Sequence, residues 1–222
     1  FLWGFARTMR TGRMVPALIA GIGLGMVVVT RPLTALGLAV PFMAVSVLKL
    51  VREGRRYAGP LCGLAAVVLG CLALFGWYNA ITNGSPWRSG YEMLHGASTL
   101  PGFHGCDASE TCHTLGRGLE NLRNSLVAMN LFAFGWPYPP LILAAMIFWL
   151  RRSVSWDALL ACSFLGLAIA YVFHWSNDFT FGPRFLYEGI GVVLLLMARG
   201  VQEVIRGTDP VFRSLARSLV SI

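Results

Sequence analysis

The reading of the fold turns on MVPALIAGIGLGMVVVT, residues Met14 to Thr30, and LTALGLAVPFMAVSVLKLV, residues Leu33 to Val51, with only Arg31-Pro32 between them. Each run approaches the roughly 20 apolar residues that a helix needs to cross the hydrocarbon core of a bilayer. In lipid the helix is the natural element, because it pairs its backbone polar groups within one segment. Two such runs back to back predict a helical hairpin. Gly21 and Gly25, four residues apart with Gly23 between them, offer a face that another helix can approach closely.

Working outward, a basic stretch with Arg52, Arg55 and Arg56 separates this hairpin from a third apolar run, Pro60 to Tyr78. A polar segment follows, and three further runs cover Leu126 to Leu150, Trp156 to His174 and Phe185 to Ala198. The fourth run carries Pro137, Pro139 and Pro140, which predict a break or kink. The sixth is short and borrows length from Val201 to Ile205. Composition agrees with lipid as the solvent. Of 222 residues, 56% are hydrophobic and 13% charged, against roughly 25% charged in an average soluble domain, and the mean hydropathy is +0.64. Soluble enzymes, nucleic-acid modules and disordered tails are excluded on this balance.

Six spans put both ends and the second and fourth connections on one side. That side carries Arg7, Arg10 and Arg13; Lys49, Arg52, Arg55 and Arg56; Arg151 and Arg152; and Arg199, Arg206, Arg213 and Arg217, thirteen of the 18 basic residues. By the positive-inside rule it is cytoplasmic, so Arg31, the long loop and Arg184 face outward. The net charge of +8 thus records topology rather than nucleic-acid binding. The expected fold is all-α: a polytopic membrane protein of about six transmembrane helices with one long outward-facing loop. It is organised as a cytoplasmic basic segment (1–13), three spans (14–78), an extracytoplasmic loop (79–125), three spans (126–200) and a cytoplasmic basic tail (201–222). A signal peptide at Arg7 to Arg13 is rejected, since no small-residue cleavage site follows. Beginning Phe1-Leu2-Trp3, the chain reads as a piece of a longer one.

The middles of the apolar runs hold no ionisable residue, which disfavours an ion-coupled carrier. Polar chemistry is crowded outside instead, and a connection as long as 79–125 usually carries a lid, a binding surface or a catalytic element. Its candidates are His104 and His113; Asp178 lies in the later outer stretch His174 to Arg184. Cys106 and Cys112, with the two histidines, have zinc-type donors, but on an oxidising face the pair suits a disulfide better, so no metal site is assigned. Cys62, Cys71 and Cys162 read as small core residues. Arg184 at the outer lip of a helix matches a phosphate bidentately. The competing role is an ion pair with Glu188, one turn on. Arg31 faces a similar choice between phosphate and headgroup anchoring.

The order of Thr30-Arg31-Pro32, Trp77-Tyr78-Asn79, Gly84-Ser85-Pro86, Gly102-Phe103-His104, His113-Thr114, Gly118-Leu119-Glu120-Asn121, Phe134-Gly135-Trp136-Pro137 and Gly182-Pro183-Arg184-Phe185-Leu186-Tyr187-Glu188 resembles the later membrane half of bacterial GT-C glycosyltransferases. Specifically, it is similar to the group of protein O-mannosyltransferases and aminoarabinose transferases (glycosyltransferase family 39-like). The resemblance spans about residues 14 to 200. It implies a bacterial inner-membrane enzyme that moves a sugar from a polyprenyl-phosphate donor to an acceptor on the outer face, with inversion at the anomeric carbon. Donor phosphate handling falls to Arg184, supported by Tyr187 and Glu188, with Arg31 as a further candidate. The family's acidic base lies in an earlier outer loop, so no residue here inherits it. A divalent cation is compatible with this chemistry. Implied partners are membrane lipids and the lipid-linked sugar; nucleic acid is not among them. The alternative is a non-catalytic membrane protein, a lipid carrier or assembly subunit, whose outer loop binds a partner.

Overall fold

The computed structural model describes residues 1–95, 100–103, 113–132, 140–150, 153–174 and 184–207. Among them every regular element is an α-helix: α1 (Leu2–Thr11), α2 (Met14–Thr30), α3 (Pro32–Asn83), α4 (Gly90–His95), α5 (Leu115–Phe132), α6 (Pro140–Trp149), α7 (Ser155–Val172), α8 (Arg184–Tyr187) and α9 (Ile190–Gly207). They form two compact units. The first holds α1 to α4, the start of α5 and the last turns of α7; the second holds the rest of α5 and α7 with α6, α8 and α9.

In the first unit α3 is 52 residues long, yet it is two passes rather than one. Val68 packs on the cluster of Leu24, Ala35 and Ala39, although a continuous helix would carry Val68 about 50 Å beyond Ala35 at 1.5 Å per residue. The chain therefore reverses, and it does so at Glu53, the one residue inside α3 with non-helical torsions (φ −127°, ψ 28°). Helix α2 and the two arms of α3 reproduce the first three apolar runs. The glycine face of α2 is used as its spacing predicts. A Cβ on Gly21 would lie 2.9 Å from the Leu64 carbonyl, and one on Gly25 would lie 2.5 Å from Cys71 Sγ, so only glycine admits the returning arm. The first arm crosses α7 just as closely, with Gly37 against Gly166 and Leu167.

Residues 1–13, to which the sequence assigns no element, contain α1, which lies along α2. Gly4, Phe5, Thr8 and Met9 form its buried face, and the Phe5 ring meets Phe42 edge-on at 5.0 Å. Gly12 closes it in the left-handed region (φ 63°), where glycine pays no steric penalty. The reversal of α3 is built at the same end. Tyr57, 2% exposed, donates to the Met9 carbonyl at 2.9 Å, and its ring lies under Lys49 and Arg56 at 5.3 and 5.5 Å. Lys49 also donates to Glu53 at 2.6 Å, and this hydrogen bond holds the Glu53 carboxyl below its ordinary value.

In the second unit the run Leu126 to Leu150 is not one straight helix. Asn130 Oδ1 accepts the Leu141 N–H at 3.2 Å, whereas eleven residues of straight helix would separate them by about 16 Å. So α5 and α6 are not one straight helix, and Asn130 caps the second, whose first residue is Pro140. Pro137 and Pro139, where a break or kink is expected, lie outside the described residues, and α6 by itself is too short to cross a bilayer. Helix α5 also begins at Leu115, inside the segment read as loop. The sixth run is divided into α8 and α9, with α9 continuing to Gly207 through the stretch it was expected to borrow. Met129, Ile147 and Val193 are almost fully buried. At Gly200 the α6 backbone at Leu143 comes within van der Waals contact of α9.

Two helices among the described residues, α3 and α7, are long and apolar enough to cross a membrane, and α2 is a shorter apolar helix. Their apolar faces are largely uncovered by protein. In the most apolar stretch of α3 only 11% of residues are buried, against 39% in α7. Cys62 and Cys162, expected in the core, are exposed and Cys71 is half-buried. Their small size suits outward faces of apolar helices as well as interiors, which is why polarity alone misassigned them.

Candidate functional site

One group of polar residues in the first unit lies where α2 turns into α3 and α7 ends. Arg31 is the single non-helical residue between α2 and α3 (φ −148°, ψ 82°). Its N–H caps the Val27 carbonyl and its own carbonyl accepts from Ala35, so one residue turns the chain with its backbone bonds satisfied. One turn on, Thr34, 2% exposed, shares a 2.6 Å hydroxyl–hydroxyl hydrogen bond with Tyr171. The His174 ring stands edge-on to Tyr171 at 5.7 Å.

Helix ends leave carbonyls without intrahelical partners, and at the end of α7 the long loop supplies donors. Gly102 N–H donates to the Phe173 carbonyl at 2.8 Å. His113 Nε2 meets the Val172 carbonyl at 3.0 Å. Because a carbonyl only accepts, Nε2 carries a proton here, and the other ring nitrogen is Nδ1. That atom is buried and has no hydrogen-bond partner among the described residues. Phe103 packs between the two contacts, 5.7 Å from the His113 ring and 5.0 Å from Phe173. Gly118, in the first turn of α5, admits the Val172 carbonyl where any side chain would collide.

Of the residues the sequence singles out, the first unit brings His113 and the Arg31 turn to this end. Arg184, Tyr187 and Glu188 follow one another in the second unit, with Arg184 exposed as the first residue of α8 and the other two half-buried. His104, Cys106, Cys112 and Asp178 lie outside the described residues. Among the described residues no three His, Cys, Asp or Glu side chains converge as metal ligands.

Two features went unread in the sequence. Thr34 and Tyr171 sit in apolar runs and look like ordinary span residues; nothing in their spacing pairs them. In the second unit, Asp157 is 3% exposed at the start of α7 and accepts the Val154 N–H at 2.9 Å, the reach-back half of a capping box. It also faces Arg199 at 3.4 Å, and Arg199 meets Glu203 at 3.1 Å, itself held by Arg206 at 3.0 Å. The signal was present: Arg199 and Glu203 are one turn apart, and Asp157 opens an otherwise uncharged run. These groups tie α9 to α7. Comparison of the chain with known protein families, with curated proteins and with solved structures finds no match.

Proposed function

We propose that the chain is part of an integral membrane protein of about six spans, seated in a bacterial inner membrane, whose outer end handles a lipid-linked sugar. The uncovered apolar faces of α2 and α3 support the membrane reading, since water-soluble folds rarely leave apolar patches of that extent bare. The observation that carries the sidedness is the sorting of polar groups within the first unit. The Arg31 turn, Gly102, His113 and His174 meet at one end, while Arg10, Lys49, Glu53, Arg56 and Tyr57 cluster around the reversal of α3. Within this unit the Arg31 turn lies at one end and the basic connection around Arg52 to Arg56 at the other, which supports an outward-facing loop.

The activity proposed is transfer of a sugar from a polyprenyl phosphate to an acceptor on that outer face. An exposed guanidinium opening α8 suits the donor phosphate, whose charge rises as the glycosidic bond breaks. Tyr187 and Glu188 follow it in sequence as supporting residues. The carboxylate that deprotonates the acceptor is not assigned to any residue here. The test is transfer by the full protein in vesicles supplied with a polyprenyl-phosphate sugar. Arg184→Ala should lower the rate by about tenfold or more; transfer at the wild-type rate removes Arg184 from the site. A second reading, a non-catalytic subunit, is favoured by Phe103 and Phe173, which stack on each other yet stay 44% and 39% exposed, as a docking surface for a partner would. It predicts no transfer by the wild-type protein from any such donor.

A further inference from the structure

Where α3 ends, the chain does not run out into water. Gly84 closes the helix in the left-handed region (φ 76°), and the next residues fold back along it. A Cβ on Gly76 would touch the Pro86 ring at 3.5 Å, so Pro86 lies about 10 Å below the end of the helix axis. Two asparagines hold this return. Asn79, 3% exposed, donates to the Pro86 carbonyl at 3.4 Å, and Asn83 donates to the Arg88 carbonyl at 2.9 Å. Ser89 then starts α4, its hydroxyl accepting the Glu92 N–H at 3.2 Å, in the Ser-x-x-Glu pattern of a capping box.

The returned segment is apolar on the outside. Trp87, Met93 and Leu94 are 86%, 54% and 77% exposed, and Trp77, Tyr78 and Ile81 on the last turns of α3 are exposed as well. Arg88 stays half exposed beside Glu92 at 3.7 Å. Tryptophan and tyrosine at the end of an apolar helix, with a cation beside them, match the region where acyl chains meet headgroups. A short helix lying in that boundary immerses its apolar face a few ångströms and leaves its charges among the phosphates.

We propose that Gly84–His95 is an interfacial anchor. It rests in the outer leaflet of the bilayer, with Trp87, Met93 and Leu94 at the acyl edge and Arg88 at phospholipid headgroups. The proposal rests on the membrane reading above, and its function is to set how deeply the outer end of α3 sits. The test places a photo-crosslinking residue, benzoylphenylalanine, singly at positions 94, 87, 40 and 120 of the full protein in phosphatidylcholine–phosphatidylglycerol vesicles. Val40 lies on the bare face of α3 and Glu120 is an exposed polar site of α5. The expected result is phospholipid adducts at 94 and 87 with yields close to that at 40 and several-fold above that at 120. Adducts at 40 but none above the level of 120 at either 94 or 87, or adducts there with protein instead of lipid, overturn the anchor while the membrane reading stands. No lipid adduct at 40 overturns both.

Discussion

Arg199→Leu should destabilise the second unit by about 2–3 kcal/mol. Asp157 is almost fully buried and Arg199 is 30% exposed, so solvent screens the pair little. Breaking a buried ion pair typically costs about 3–5 kcal/mol, because a carboxylate is left without its counter-charge. Here each acid keeps one partner: Asp157 retains the Val154 N–H at 2.9 Å, and Glu203 retains Arg206 at 3.0 Å. The Arg199–Asp157 contacts are also long, at 3.4 and 3.5 Å, which puts their strength at the weak end of charge-assisted hydrogen bonds. Both considerations pull the estimate below the full penalty. The measurement is reversible unfolding in detergent micelles for wild type, Arg199→Leu, Asp157→Leu and the double variant. Removing both partners should recover about 1–2 kcal/mol relative to the sum of the single losses. A loss under about 0.5 kcal/mol for Arg199→Leu is what a screened surface pair would give, and it would refute the claim that this contact joins α9 to α7.

Gly37→Val should destabilise the first unit by about 1–3 kcal/mol or more, because its Cβ would sit 2.8 Å from the Leu167 Cα and 2.9 Å from the Gly166 carbonyl; unfolding in the same micelles reads the loss. Asn130→Ala should cost about 1 kcal/mol by uncapping α6, and hydrogen exchange at the Leu141 amide should rise with it. The Glu53 carboxyl, held low by Lys49, contributes stability that is present above the ordinary glutamate value and is lost as pH falls through the lowered folded value. Glu53→Gln should therefore lower stability at neutral pH, leave it unchanged at acid pH where the carboxyl is already protonated, and flatten that part of the stability–pH curve.

Much of the architecture follows from local pattern. The apolar runs ending at Thr30, Val51 and Tyr78 become α2 and the two arms of α3, because runs of that length and polarity have one good backbone solution. In the fourth run the prolines predict a break, but only the contact between Asn130 and Leu141 shows that α5 and α6 are not one straight helix. The fate of Cys62 and Cys162 was illegible for a related reason: hydropathy says that a helix avoids water, and is silent about which face meets protein. At the candidate site, His113 stood out as a titratable group in a long loop. Its partner, the Val172 carbonyl, is a backbone atom common to every residue and so leaves no trace in composition.

The sequence by itself determined the helical class, the apolar runs and the unequal sharing of basic residues among their connections, since these depend on neighbours along the chain and on the transfer of each side chain from water. Only the tertiary structure decided the placing of the expected turn after the second run on the single residue Glu53, the docking of Gly102 and His113 on the end of α7, and the clasp from Asp157 through Arg199 to Glu203. Each of those joins atoms far apart in sequence, where closing the intervening loop is repaid only by a specific geometry of donor, acceptor and close-packed glycine.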